Sequence, residues 1–327
     1  MSAGIDRRKA LLMLAGSAAG PLLSGCSSAK SSPAGSTALP VVRWGFFRNF
    51  QPVYVGVEKG FFREAGVDVQ LTGSFNSGPA VVQAAGTGQL DAGHSAITGI
   101  AEAAAAGVKV AGVADSQTEF GDAPLQQWFV RNDSPIKTAA DLRGKKIGTN
   151  ALSGSFYYTA LIALGKAGLT KDDVQFVLLP HERQGQALLS RQIDVAGIID
   201  PYSVQLAKDS SARLLFTGAT VLGERQFSLV FFTRDFIQKS PKAVRGFLTG
   251  YRKTIQFMHD NPAEATTIMA SRLGLQPSDM VSHRYTTDAL VRPADVQFWV
   301  DTMREYGELK TAPHLSAADI LDLTFNA

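Results

Sequence analysis

From residue 39 onward, the hydrophobic pattern of this chain switches repeatedly between strand-like and helix-like periods. Short β-branched or aromatic runs at 41–46, 67–71, 108–113 and 127–130 predict strands. Between them, 52–65 and 79–85 carry helical spacing and end at Gly66 and Gly86, which can take the left-handed conformation after a helix; 97–106 is a third such segment, ending at Gly107. Asp133-Ser134-Pro135 interrupts the pattern, and a second series follows with strands at 146–148, 174–179, 195–199 and 213–216. A strongly apolar strand at 227–232 comes next, and the chain after Thr233 reads as helical. In 241–259, Val244, Phe247, Leu248, Tyr251, Ile255 and Met258 keep spacings of three and four and so form one buried stripe; Val296, Trp299, Val300 and Met303 repeat it after Pro293.

Strands alternating with helices predict an α/β architecture with largely parallel sheets. The terminal helices have no strands of their own to cover, so they are expected to pack back on the first series. The chain then crosses twice between two α/β lobes, near Val130 and near Val230. Two extended crossovers make a hinge, and the cleft between such lobes is where small ligands bind. The expected organisation is a first lobe over 39–130, a second lobe over 131–229, and a return to the first lobe over 230–327 with C-terminal helices. A single doubly wound enzyme domain with a helical tail fits the same pattern.

The segment before residue 39 has a different character. Arg7, Arg8 and Lys9 precede an apolar run at 10–23, punctuated by Gly16, Gly20 and Pro21. The run is shorter than the about 20 apolar residues a spanning helix needs, and it reads as an export signal. Leu23-Ser24-Gly25-Cys26 resembles the bacterial lipobox, which implies removal of the signal peptide 1–25 and lipidation of Cys26, the only cysteine. The mature protein is then expected in the periplasm or on the outer face of the cell membrane, held by its lipid. The arginine pair suggests twin-arginine export. Residues 26–38, rich in Ser, Ala, Gly, Lys and Pro, read as a flexible tether. No thiol remains for disulfide, iron–sulfur or zinc chemistry. The formal charge of +3 is concentrated in the leader, so the near-neutral body has no footprint for nucleic acid.

Several motifs carry a family likeness. Pro52-Val53-Tyr54-Val55-Gly56-Val57-Glu58-Lys59-Gly60-Phe61-Phe62, followed by Gly66-Val67-Asp68-Val69, resembles the opening of the solute-binding proteins of the nitrate, sulfonate, taurine and thiamine-precursor group of ABC importers. Phe75-Asn76-Ser77-Gly78-Pro79 with Gly88-Gln89-Leu90-Asp91-Ala92-Gly93 is similar to aliphatic-sulfonate binders. Asn132-Asp133-Ser134-Pro135-Ile136-Lys137, Asp141-Leu142-Arg143-Gly144-Lys145-Lys146-Ile147-Gly148, Ala167-Gly168-Leu169, and Arg191-Gln192-Ile193-Asp194-Val195 with Asp200-Pro201 extend the likeness, which runs from Leu39 to about Pro262. It implies a type II periplasmic-binding-protein fold that closes on a small organic anion, sulfonate- or taurine-like, and delivers it to an ABC permease with its ATPase. The chain departs from the sulfonate pattern at His181-Glu182-Arg183-Gln184, a bulkier and charged stretch.

Candidate ligand residues follow from helix starts and strand ends. Ser77-Gly78-Pro79 and Ser153-Gly154-Ser155 each open a helix, where unpaired N–H groups and the positive dipole end suit an anionic oxygen. Ordinary capping explains either one alone; the pair, one in each lobe, would clamp an oxyanion on closure. Asn49, Phe50 and Gln51 follow the first strand at its carboxyl end, the ligand edge of a parallel sheet. The resemblance places Ser95 and Thr98 in the cleft. Phe46 and Phe75 could wall an organic portion, and Asp200 and Tyr202 sit at a proline-started helix. Arg183 could pair bidentately with a sulfonate or carboxylate. Gln226 precedes the second crossover.

No catalytic constellation is present. His94, His181, His259, His283 and His314 are dispersed, with no His-Glu-x-x-His pair, Gly-x-Ser-x-Gly elbow, dinucleotide fingerprint or phosphate-binding Walker loop. The expectation is a binding protein with no catalytic residue, metal or cofactor. Other classes remain open: a binder of a thiamine-precursor pyrimidine, flavin or aromatic carboxylate, a pyrimidine-synthase-like enzyme of the same fold, whose cysteine-rich element this chain lacks, or a lipoprotein presenting ligand to a sensor.

Overall fold

The computed structural model describes residues 38–281, 283–307 and 309–326. Cys26, the signal peptide and nearly all of the tether lie outside them. In chain order the first series is β1 (Val41–Phe47), α1 (Pro52–Glu58), α2 (Phe61–Glu64), β2 (Asp68–Phe75), α3 (Gly78–Gly86), β3 (Ala92–Ala96), α4 (Ile97–Ala105) and β4 (Val110–Glu119). The second is β5 (Gln126–Arg131), β6 (Lys146–Thr149), α5 (Ser155–Lys166), β7 (Gln175–Leu178), α6 (His181–Leu189), β8 (Val195–Ile199), α7 (Tyr202–Ala207), β9 (Ala212–Thr217) and α8 (Gly218–Leu222). The return comprises β10 (Arg225–Thr233), α9 (Arg234–Lys239), α10 (Pro241–Asp260), α11 (Pro262–Leu273), α12 (Pro293–Glu305) and α13 (Ala317–Ile320).

These strands build two five-stranded sheets, ordered β2-β1-β3-β10-β4 and β7-β6-β8-β5-β9. In each, the strand that follows a crossover runs antiparallel to both neighbours: β10 against β3 and β4, and β5 against β8 and β9. The remaining pairings are parallel. β4 and β8 are buried along their whole length, as strands covered on both faces must be. The predicted stripe on α10 is buried from Val244 to Met258, and Trp44 of β1 stacks on Phe247 at 5.2 Å. Each such side chain contributes about 1.5–3 kcal/mol on burial. α12 packs on α4 and β10, with Trp299 Nε1 donating to Gln226 O (2.7 Å).

Three expectations change. The crossovers occupy 120–125 and 218–224, earlier than Val130 and Val230. Residues 127–130 do form a strand, but it pairs in the second sheet, and Arg225 is already paired with Glu119 in the first. Alternation identifies a strand without saying which sheet takes it. The helix expected over 52–65 is broken by Gly60 at φ 73°, where the chain turns between α1 and α2. Gly86 lies inside α3 against Val108, and Gly88 takes the left-handed position instead.

Glu119 stands where both crossovers meet. Its carboxylate accepts from Gln126 N (3.2 Å) beyond the first crossover and from Ala219 N (3.1 Å) at the start of the second. Burial pushes this carboxyl up to about 8.

Candidate functional site

The two sheets face one another across a cavity of about 30 Å³. It is enclosed by the carboxyl ends of β1, β3, β6 and β8 and by the starts of α3, α5 and α6. That volume holds about one water. The lobes touch around it: Thr98 Oγ1 donates to Ser153 O (2.6 Å), and Tyr202 OH donates to Arg48 O (3.2 Å). Admission of a solute therefore requires the lobes to part.

On the first-lobe wall one donor is fixed by a chain of obligatory roles. Trp44 Nε1 donates to Gln51 Oε1 (3.1 Å). Since an indole only donates, Gln51 Nε2 must be a donor, and it reaches Phe47 O (2.8 Å) and Asn49 Oδ1 (2.9 Å). Asn49 is fully buried and keeps Nδ2 unpartnered at the cavity. Gln117 Nε2 is a second buried, unpartnered donor on this wall.

Gly78, the first residue of α3, must be glycine here, because a Cβ would sit 2.8 Å from Ser95 Cα. α5 enters from the other lobe through Gly154 and Ser155. Neither helix start has a side-chain cap hydrogen bond, so the first-turn N–H groups are not claimed by one.

His181, the first residue of α6, lines the second-lobe wall. Its Nδ1 donates to Gly197 O (3.1 Å), and Gln184 Oε1 accepts from Gly197 N (2.9 Å), so α6 is tied to β8 at both backbone groups of one glycine. Burial pushes the imidazole down to about 4, leaving it neutral near pH 7. Asn150 Oδ1 is buried without a partner, and Phe47, Phe156 and Phe227 supply aromatic walls. Among the described residues, no Asp, Glu, Lys or Arg lines the cavity. An unsatisfied buried polar group costs about 1–3 kcal/mol, so a ligand that pairs with these groups is favoured on closure.

Past Asn150 the cavity adjoins an open interlobe groove of about 690 Å³, walled by Asn76 and Glu102 on one side and Leu152, Tyr157 and Leu178 on the other. A larger opening of about 740 Å³ beside Arg284 and Arg292 includes none of these helix starts.

Of the residues singled out from sequence, Asn49, Gly78, Gly154 and Ser155 line the cavity. Ser95 lies directly behind Gly78 with its Oγ unpartnered, and Ser77 is the N-cap residue just before it. Thr98 and Ser153 bond to each other across the lobes. Gln51 is a brace for Asn49.

The others go elsewhere. Phe50 enters the core against His283, with ring centroids 3.9 Å apart, and Phe75 packs half-buried on the first-lobe core. Arg183 is exposed. It lies two residues beyond His181, about 200° around the helix, so the two cannot share a face. Asp200 accepts from Ser203 and meets His283 (3.4 Å), where burial raises the carboxyl to about 7 and lowers the imidazole to about 3. Gln226 braces Leu290 O and Arg292 N (2.7 Å each). Phe47, Gln117, Asn150, Phe156 and Phe227 had no local signal, since a phenylalanine beside a strand reads equally as core.

The model of the NMT1/THI5-like family matches residues 48–265. A protein of Brucella abortus (strain 2308) named as a binding protein is 28% identical over 272 residues, covering 79% of this chain and 82% of its own. An Escherichia coli (strain K12) protein named for binding aliphatic sulfonates is 26% identical over 211 residues, 64% of each chain. Among solved structures, the alkanesulfonate-binding protein of Xanthomonas axonopodis pv. citri bound to MOPS superposes with a TM-score of 0.69 at 21% identity, over 83% of this chain and 95% of that one. At that identity the likeness speaks for the fold, which is the periplasmic-binding-protein fold the motifs implied.

Proposed function

The chain belongs to the NMT1/THI5-like family, and on that premise we propose that it is the lipid-anchored, extracytoplasmic solute-binding component of an ABC importer. It captures a small organic anion, a sulfonate first, between its lobes and releases it to a permease driven by an ATPase, without chemistry of its own. The observation that carries the reading is the uncharged cavity into which Asn49 Nδ2, Gln117 Nε2 and the starts of α3 and α5 converge from two lobes. Directional donors stabilise an oxyanion there, and a lining without lysine or arginine among the described residues keeps release reversible. The adjoining groove accommodates the organic portion. The name of the Escherichia coli relative supports the same ligand class.

The test is thermal unfolding of the full-length chain against alkane- and arylsulfonates, taurine, nitrate, aromatic carboxylates, a formylaminopyrimidine and riboflavin. A ligand at 100 times its Kd adds about 2.7 kcal/mol, a shift of several degrees. A shift with sulfonates is the expected result. A shift confined to the heterocycles overturns it in favour of the second reading, to which the three phenylalanine walls lend support.

A further inference from the structure

Both lobes point donors at the cavity, and the second-lobe wall adds an acceptor; the roles of Asn49 and His181 are each fixed by a neighbour with only one possible role. On the first-lobe side, the donor-only indole of Trp44 sets Gln51, and Gln51 sets Asn49 to present N–H. On the second-lobe side, Gly197 O can only accept, so the hydrogen of the His181 ring is on Nδ1. The neutral ring then carries its lone pair on Nε2, which has no hydrogen-bond partner among the described residues, and His181 lines the cavity. The ring is held against rotation: turning it would break the bond to Gly197, whose N–H is gripped in turn by Gln184, and Phe156 lies 4.6 Å from its centroid. The buried ring resists protonation at neutral pH, and among the described residues no acidic side chain lines the cavity to favour an imidazolium.

A ligand whose polar atoms are all acceptors satisfies the amides and helix starts but meets His181 lone pair to lone pair. One that also carries a hydroxyl or N–H can donate to His181 as well. We infer that His181 is a specificity-determining residue, selecting organic anions that bear their own hydrogen-bond donor over otherwise identical anions that lack it. The inference rests on the cavity being the ligand site of the proposed binding protein.

Calorimetric titration of the full-length chain with two matched pairs tests it: ethanesulfonate against 2-hydroxyethanesulfonate, and propanesulfonate against 3-hydroxypropanesulfonate. One added hydrogen bond corresponds to about tenfold in Kd, so the hydroxylated member of at least one pair is expected to bind about tenfold tighter. His181→Phe, which removes the acceptor but keeps a flat ring, is expected to bring that ratio close to one, whatever it does to absolute affinity. Ratios close to one in the native protein, or a preference that survives in a folded His181→Phe, overturn the inference while leaving sulfonate binding intact. Binding by none of the four overturns the sulfonate reading and the inference together. Where the variant does not fold, the native ratios decide.

Discussion

Gln51 braces the wall of the proposed site rather than lining its cavity. Its amide is held by Trp44, Phe47 and Asn49, so Gln51→Leu strands the Trp44 Nε1 donor and frees the Asn49 amide to rotate. At about 1–3 kcal/mol for each buried group left unpaired, a fall of several degrees in melting temperature is expected. Ligand affinity should fall with it in calorimetry. Arg183→Ala is expected to leave affinity within error, and a clear loss would bring that side chain into the site. Both residues stood out in the sequence, Gln51 by its place after β1 and Arg183 by its charge. What could not be read there was the division of labour. Gln51 becomes a brace only because Trp44 lies opposite it, and Arg183 turns outward only because α6 begins at His181. His181 itself was visible as part of an unusual stretch, and its role follows from the carbonyl of Gly197, which belongs to another element.

At the level of elements, the proposed site depends on two helix starts meeting. Gly78→Ala drives a Cβ against Ser95 backbone at 2.8 Å, so α3 must shift away from the cavity. A cost of about 1–3 kcal/mol in denaturant titration is expected from overpacking. A loss of ligand affinity of about tenfold or more should accompany it, because donors aimed at an anion lose their value steeply with misplacement. An unchanged affinity would show that α3 does not face the ligand. Local signals identified both helix starts, since Gly78 and Pro79 at α3 and Gly154 before α5 act within a few residues. The stripe on α10 was equally legible, because helical periodicity is a property of one segment. The crossovers were not: whether β5 belongs to one sheet or the other depends on pairing with β8 and β9, strands more than sixty residues away in the chain. Gly60 was visible in the motif, but it breaks the helix through a conformation that spacing alone does not show.

For the whole molecule, membrane association and pH dependence are the measurable properties. If Cys26 carries the lipid, Cys26→Ser or globomycin treatment releases the protein from the membrane fraction, and retention in both cases removes the anchor from the proposal. The pH dependence arises at buried ionisable groups, one of them at the hinge. Burial raises three carboxyls, Asp115 to about 6, Asp200 to about 7 and Glu119 to about 8, so the folded state holds protons that the unfolded chain has lost. Their stabilising contribution is complete below about pH 4 and is lost as pH rises through those values. The buried histidines act in the opposite sense. His94 and His283 are lowered to about 3 and His181 to about 4, so their contribution is complete above the unfolded value and is lost as pH falls. Between about pH 4 and 6.5 the two sets oppose one another. From about pH 6.5 to 8 the histidines have nothing left to lose, and Glu119 with the last of Asp200 governs. Stability is therefore expected to fall by about 2 kcal/mol across that window in urea titrations. Glu119→Gln should flatten that limb, since it removes the titrating group that accepts from Gln126 and Ala219. A slope left unchanged in the variant would mean that the hinge carboxyl is not what couples the two crossovers to pH.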